Sequence, residues 1–282
     1  MPPSPRQHPL FQQHPITGNT SISMGQAPTP YHIYDGHTAF LGGTANLDVA
    51  RTLLRDQHCV SVQTRTGRAL MAIWIVDGTD ASLGPHQELQ FSLFVSREPL
   101  PPIEPHPFAI PSQMLSNPKM KMMARGLWNN TELVVTYNRE YLGLDVSLTR
   151  SEIHRENGYK RFTFHDETGA LLLRGKLQEE PRPPTNVILP AIKAFGLGNF
   201  FKNASLPVLE AGVVNPITPI LPENQVARTY TKLDAMLTQF FDPAKDSLEF
   251  GAGPYKALDF QPDFVEHMIG FKFVYMKPEP WK

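Results

Sequence analysis

Prolines set the strongest limit on how this chain can fold. There are 28 of them among 282 residues, roughly twice the usual share of about 5 %, and they are clustered. Proline fixes φ and has no amide hydrogen, so it ends helices and removes a rung from a β-ladder. The clusters therefore mark where regular structure stops. Residues 1–29 are Pro/Gln/His-rich without hydrophobic period and read as a flexible or surface-draped arm. EPLPPIEPHPFAIP (Glu98 to Pro111) and EPRPP (Glu180 to Pro184) read as loops or linkers. Residues 30–282 read as a single domain, long enough to bury a sizeable core.

Between the clusters lie short runs rich in β-branched and aromatic residues, the pattern of strands. They are expected near Val60 to Thr64, Arg68 to Val76, Glu88 to Ser96, Glu132 to Tyr137, Leu144 to Leu148, Tyr159 to His165 and Leu171 to Leu177. Around the turn DETG, Phe162 and Phe164 alternate with Arg161, Thr163 and His165, which predicts a hairpin with one wet face. A last strand is expected over Met268 to Met276, with Ile269, Phe271, Phe273 and Tyr275 on one side. Two amphipathic helices are predicted: one capped by Asn46, with Leu47, Ala50, Leu53 and Leu54 on a face, and one capped by Asn224, carrying Val226, Tyr230, Leu233, Leu237 and Phe240. No βαβ rhythm or repeat is present. The fold class expected is mainly β with some α: a closed or nearly closed antiparallel sheet covered by a few helices.

A net charge of -1 and a pI near 6.8 provide no basic field for nucleic acid or anionic lipid. One cysteine, Cys59, cannot form an internal disulfide, and no Cys/His spacing suggests zinc. No apolar run is long enough to cross a membrane, and the N-terminus lacks a signal-peptide core. A cytoplasmic protein is expected, with no nucleic-acid or membrane partner, no metal and no organic cofactor. The glycosylation-type triplets at Asn19, Asn129 and Asn203 read as chance matches.

Three clusters remain as candidates for chemistry. In SLGPHQEL, His86 and Glu88 stand where a turn enters a hydrophobic run. Glu88 is either a solvated strand end or a carboxyl whose pKa is raised by desolvation and which acts as general acid or base. In NREYLG, Arg139 and Glu140 would point to opposite sides of an extended chain, either as a surface pair or with one of them in a pocket. In KMKMMAR, Met120 and Met123 at helical spacing would form a core stripe, with Lys119 and Lys121 solvated. His154 and His165 read as exposed. His58 and Cys59, adjacent in an extended segment, point apart and make no nucleophilic dyad. GLGNF, from Gly196 to Phe200, reads as an apolar loop.

The order of these pieces is informative. PYHIYDG, the helix NLDVARTLL, a strand ending in MAIWIVDG, the turn SLGPHQEL, then TELVVTYNREYLG and two hairpin strands resemble the acetoacetate decarboxylase family, as does PAKDSLEFGAGPYKALDF further on. The resemblance implies a distorted antiparallel β-barrel wrapped by helices around a largely apolar pocket. It also implies Schiff-base decarboxylation of a β-keto acid by a lysine of depressed pKa, helped by an arginine and glutamates. By position, the family's glutamate is matched by Glu88 and its Arg-Glu pair by Arg139 and Glu140. Where the lysine is expected, this chain has Val146 between Asp145 and Ser147. The pocket arginine falls near Gly36 or His37, and a second glutamate near Ala69.

A pocket without that amine suits proton transfer and shape control. The function expected is a lyase or cyclase of secondary metabolism, acting on a polyketide- or terpenoid-like small molecule by cyclisation, dehydration or lysine-independent decarboxylation. Glu88 would be its acid/base, Arg139 or His86 would orient an oxygen, and Glu140, Asp145, His37 and Trp74 would contact substrate. The alternatives are a non-catalytic carrier on the same scaffold and a Schiff-base enzyme whose amine has moved to Lys119, Lys121 or Lys256. Assembly into a homo-oligomer is also possible.

Overall fold

A computed structural model describes residues 4–104, 113, 117–179 and 208–281. EPRPP, GLGNF, the Asn203 triplet and most of the loop 105–116 lie outside the described residues. In chain order the elements are α1 (Pro9–Gln13), β1 (Gly18–Ile22), β2 (Gly25–Thr29), β3 (Tyr31–Asn46), α2 (Leu47–Leu53), β4 (Val60–Ser61), β5 (Arg68–Ala81), β6 (His86–Ser96), β7 (Lys121–Asn129), α3 (Glu132–Glu140) and β8 (Val146–Leu148). There follow β9 (Arg150–Glu156), β10 (Tyr159–His165), β11 (Leu171–Gln178), β12 (Leu209–Asn215), β13 (Gln225–Lys232), β14 (Ala235–Phe240), β15 (Ser247–Phe250), α4 (Pro254–Ala257), β16 (Gln261–Ile269), β17 (Lys272–Tyr275) and β18 (Glu279–Pro280).

The architecture is mainly β: one large, strongly curled sheet with few helices. Its pairings run β3, β5, β6, β7, β12, β13, β17 and back to β3. The joins β7–β12 and β17–β3 rest on only two and three residue pairs, so the result is a distorted sheet rather than a regular closed barrel. The β14–β16 hairpin extends it along the free part of β3. A separate four-stranded sheet, β15-β11-β10-β9, packs on its convex side.

Strand alternation sorts side chains into two cores. Phe40, Leu70, Ala72, Val76, Phe94, Leu127, Val146, Phe264 and Met268 face the concave interior, closed by Val134, Val135 and Tyr137 of α3. Ala39, Leu41, Met71, Ile73, Leu89, Phe91 and Leu93 face outward onto Phe162, Phe164, Leu173 and Leu177 of the second sheet.

Several expectations hold. Asn46 caps α2, its side chain accepting from Asp48 N and Val49 N. β10 and β11 form the predicted hairpin, with Asp166 Oδ1 bonded to Thr168 N and Ala170 N, and Gly169 at φ +88°. Others are corrected. Glu132 to Tyr137, read as a strand, begins the helix α3, because Val134, Val135, Tyr137 and Asn138 form one buried helical face with Glu132 at its start and Arg139 at its end. The helix expected after Asn224 is instead β13 and β14. Here Ala227 packs in the interior while Tyr230 packs outward with Leu10 and Phe11, a period of two that overrides the helical reading. KMKMMAR is the strand β7, with Met122 inward and Met123 outward. The last strand breaks at Gly270, in the left-handed region at φ +60°, so Ile269 is exposed while Phe271, Phe273 and Tyr275 turn inward. Residues 4–29, read as a flexible or surface-draped arm, fold as a helix and a hairpin with Leu10, Phe11, Ile22 and Ala27 buried. Among the described residues no helix is long and apolar enough to cross a membrane.

Candidate active site

One strand carries most of the polar interior. β6 pairs with β5 on one edge and β7 on the other, so it is a central strand of the sheet. Leu89, Phe91, Leu93 and Val95 point outward, while His86, Glu88, Gln90 and Ser92 share the parity of the inward-facing Phe94. The registers arrange the concave face in rows. One row runs Glu266–Phe40–Trp74–Gln90–Leu127–Val146, and the next runs Met268–Thr38–Val76–Glu88–Asn129–Leu148.

Glu88 is the centre of a polar relay. Asn138 of α3 donates its amide to Asn129 Oδ1 at 3.0 Å, and Asn129 donates in turn to Glu88 Oε2, also at 3.0 Å. Burial pushes the Glu88 carboxyl up from an ordinary 4.5 to about 7, against the opposing pull of the Asn129 hydrogen bond. Protein surrounds the carboxyl, yet the side chain is only half-buried. The surface it keeps therefore belongs to an internal space. Trp74, Gln90 and Phe273, on the same concave face, are half-buried in the same way.

Tyrosines ring this space. The buried Tyr31 and Tyr275 phenols are pushed up by burial first and then by the negative charge of Glu88, so both remain hydrogen-bond donors. Tyr275 donates to Asn215 Oδ1 at 2.8 Å. His86 Nδ1 lies 2.9 Å from the Gly84 carbonyl, which can only accept, so Nδ1 carries the proton and Nε2 accepts from Tyr31 Oη at 2.6 Å. Burial lowers the His86 pKa and keeps the ring neutral. His86 thus orients Tyr31.

The structure brings together three of the residues singled out from sequence: Glu88, His86 and Trp74. Trp74 Nε1 donates to Met122 Sδ at 3.3 Å, and its ring packs edge-on against Phe40 at 4.6 Å. The other four lie elsewhere. Arg139 is exposed and donates to the Val146 carbonyl. Glu140 is exposed and accepts from Ser23 N and Oγ, clipping the N-terminal hairpin to α3. Asp145 is exposed, and His37 lies on the convex side. Val146, by contrast, is 2 % exposed and lies in the inward row with Leu127.

Glu266 escaped the sequence reading. It is 7 % exposed, shares the inward row with Phe40 and Trp74, and has its carboxyl raised to about 7 by burial alone. The available signal was parity: in DFVEHM, Glu266 alternates with Phe264 and Met268, both inward.

A second titratable cluster lies on the convex side, between the sheets. Lys160 on β10 is fully buried, with Nζ 3.9 Å from Glu179 Oε1. That carboxylate also lies 3.0 Å from Arg155 and 3.5 Å from His267 Nδ1. Burial lowers the Lys160 amine to about 8, with Arg155 adding to the effect. Burial opposes the charge of Glu179, but His267, Lys160 and Arg155 outweigh it and hold its carboxyl below the ordinary value.

Comparison with known proteins agrees with this layout. No family model matches the chain, and neither does any curated protein. Among solved structures, acetoacetate decarboxylase from Legionella pneumophila superposes with a TM-score of 0.60 at 11 % identity, over 97 % of this chain and 95 % of that one. The chain has the acetoacetate decarboxylase-like fold. The enduracididine biosynthesis enzyme MppR, complexed with pyruvate, matches with a TM-score of 0.56 at 11 % identity, covering 94 % and 98 % of the two chains. An acetoacetate decarboxylase-like enzyme from Sphingomonas wittichii RW1 matches at 0.52 with 9 % identity, over 89 % and 92 %.

Proposed function

We propose that this acetoacetate decarboxylase-like chain is a small-molecule enzyme, a lyase or cyclase, in which Glu88 is the general acid/base and no Schiff base forms. One observation carries the reading: an enclosed carboxyl on the concave face, hydrogen-bonded by Asn129 and poised near neutrality. A group with that pKa gives and takes protons at physiological pH. Tyr31 and Tyr275 stand near it with their hydroxyl hydrogens engaged by His86 and Asn215, so they shape the polar wall around the carboxyl.

Val146 supports the absence of amine chemistry, since an aliphatic side chain holds the inward position that the family resemblance gives to the lysine. The candidate replacements do not face the pocket: Lys119 and Lys256 are exposed, and Lys121 lies on the outward parity of β7 with Nζ on the Pro118 carbonyl. A substrate that already holds a ketone or vinylogous acid provides its own electron sink, so Glu88 need only move the proton. The likeness to MppR, an enduracididine biosynthesis enzyme, supports a place in secondary metabolism. A carrier on the same scaffold is the second reading, favoured by the apolar lining of the interior.

The test is proton exchange. The chain is incubated in D2O with a panel of polyketide-like 1,3-dicarbonyl compounds, and deuterium uptake at the activated carbon is followed by NMR for wild type and Glu88→Gln. Catalysed uptake that the variant loses with its fold intact supports the enzyme. Binding without catalysed uptake supports the carrier. After borohydride treatment with a β-keto acid, the expected intact mass is unchanged.

A further inference from the structure

Two carboxyls share the concave face, and among the described residues neither has a compensating cation. Glu88 and Glu266 stand on β6 and β16, separated by β5 and β3, roughly 14 Å apart along the sheet at about 4.8 Å per strand. Because the sheet curls, they reach the same interior from different walls. The influences on Glu88 are burial and the neutral Asn129 amide, and the only influence on Glu266 is burial. Among the described residues neither forms an ion pair. Their rows hold the apolar Phe40, Trp74, Val76, Leu127, Val146 and Met268 and the neutral Thr38, Gln90 and Asn129. Two guanidiniums of these elements are engaged elsewhere: Arg68, at the start of β5, holds Thr44 and Asp259, and Arg139 holds the Val146 carbonyl.

The same face holds unused hydroxyls. Thr38 Oγ1 and Thr238 Oγ1 are buried without a hydrogen-bond partner among the described residues. Thr238 is the cross-strand neighbour of Glu266, and Thr38 lies in the row of Glu88. Buried hydroxyls of this kind call for a polar partner. The interior is thus built to accept and donate hydrogen bonds, while the described residues offer nothing to neutralise a negative charge.

We infer that the pocket takes an uncharged carbonyl compound, not a carboxylate, and that Glu266 is a second acid/base group acting with Glu88 on that substrate. The inference rests on the enzyme reading above and specifies its substrate. A carboxylate ligand would bring a further negative charge beside two acids with no cation among the described residues, a like-charge juxtaposition that disfavours its binding. A neutral ketone meets no such penalty. In the enolising step the Glu88 carboxylate takes the proton from the carbon next to the carbonyl. The C–H electron pair becomes the new C=C bond, the carbonyl π pair moves to oxygen, and that oxygen takes the proton of the Glu266 carboxylic acid. Return of both protons regenerates the ketone, and elimination or ring closure diverts the enol forward. Pyruvate, bound in the MppR complex, and the acetoacetate for which acetoacetate decarboxylase is named are both carboxylates. This chain would differ in the charge of what it binds.

A matched pair tests this: ethyl 3-oxobutanoate and free 3-oxobutanoate, the same β-keto skeleton with and without charge, at pH 7, where both protonation states of Glu88 and Glu266 are populated. Saturation-transfer NMR reads binding, and deuterium uptake reads enolisation. The expected result is about tenfold or greater preference for the ester, as like-charge exclusion predicts, with catalysed exchange of the ester only. Glu266→Gln should lower ester exchange by about a hundredfold, within the range of one acid/base group, while saturation transfer persists. If that variant fails to fold, the ester preference of the wild type still decides the charge argument, and Glu88→Gln should narrow it. Equal or tighter binding of the acid, or binding of neither compound, overturns the inference. If the acid binds and its exchange is lost in Glu88→Gln, the enzyme reading survives and only the substrate class fails. If the ester is preferred but exchange persists in Glu88→Gln, the substrate class survives and the role of Glu88 falls.

Discussion

The two titratable clusters of this molecule lie on opposite sides of the same sheet and are built on opposite plans. On the convex side, Glu179 is met by Arg155, His267 and Lys160, and each charge has an opposite neighbour. On the concave side, Glu88 and Glu266 are enclosed with no cation at all among the described residues. A compensated cluster ties two sheets together. An uncompensated carboxyl is costly to the fold, and positions of that kind are where chemistry concentrates.

The largest effect that separates the two is on turnover. Glu88→Gln should reduce activity by about 10²- to 10⁴-fold, the usual worth of a positioned acid/base, and leave the far-UV spectrum unchanged. An active Glu88→Gln enzyme would erase the functional side of the contrast.

Next in size is the response to breaking the convex cluster. Glu179→Gln leaves a buried amine without its carboxylate and should cost about 3 to 5 kcal/mol in urea denaturation. Lys160→Met fills the same volume with an apolar chain and should be neutral or stabilising by about 1 to 4 kcal/mol. Equal losses from both would show that Lys160 contributes more than a tolerated charge.

The third prediction concerns pH. Glu88 and Glu266 have folded pKa values raised from 4.5 to about 7. Their favourable contribution is complete below 4.5 and lost as pH rises through 7, by up to about 3 kcal/mol each at roughly 1.4 kcal/mol per pKa unit. Lys160 is lowered from 10.5 to about 8, so its contribution is present above 10.5 and lost as pH falls through 8. Stability should therefore pass through a minimum between about pH 7 and pH 8. Glu266→Gln should flatten the acid limb and Lys160→Met the alkaline limb, as read by denaturation midpoints across pH.

The smallest effect lies outside both clusters. Asn46→Ala removes the α2 cap and should cost about 1 kcal/mol, with no change in either pH limb. It sets the scale for an ordinary structural loss.

Much of this contrast was legible in the residues, though not all of it at first reading. The DETG hairpin and the Asn46 cap followed from local rules, since turn and cap chemistry act within a few residues. TELVVTY misled because β-branched residues suit a strand, and only packing of Val134, Val135 and Tyr137 against the interior makes it a helix. QVARTYTKL fits periods of both two and 3.6, and pairing with β12 and β17 decided between them. Glu266 was missed because the last strand was expected to start at Met268, one step after it. Lys160 was missed because neighbouring Arg161 gives the segment a wet appearance, although Lys160 has the parity of Phe162 and Phe164. In both cases the sign was a charge on the apolar beat of a strand.

The relay from Asn138 through Asn129 to Glu88 runs in one direction, with every amide hydrogen pointing toward the carboxyl. Its origin lies on α3, which Glu140 fastens to the N-terminal hairpin through Ser23. The acidity of Glu88 is therefore a gauge of how well that helix is seated. Loosening the clip at Ser23, more than 100 residues away in the chain, would weaken the donor and raise the proton affinity of the buried acid. A surface fastener would then tune chemistry in a chamber it never touches.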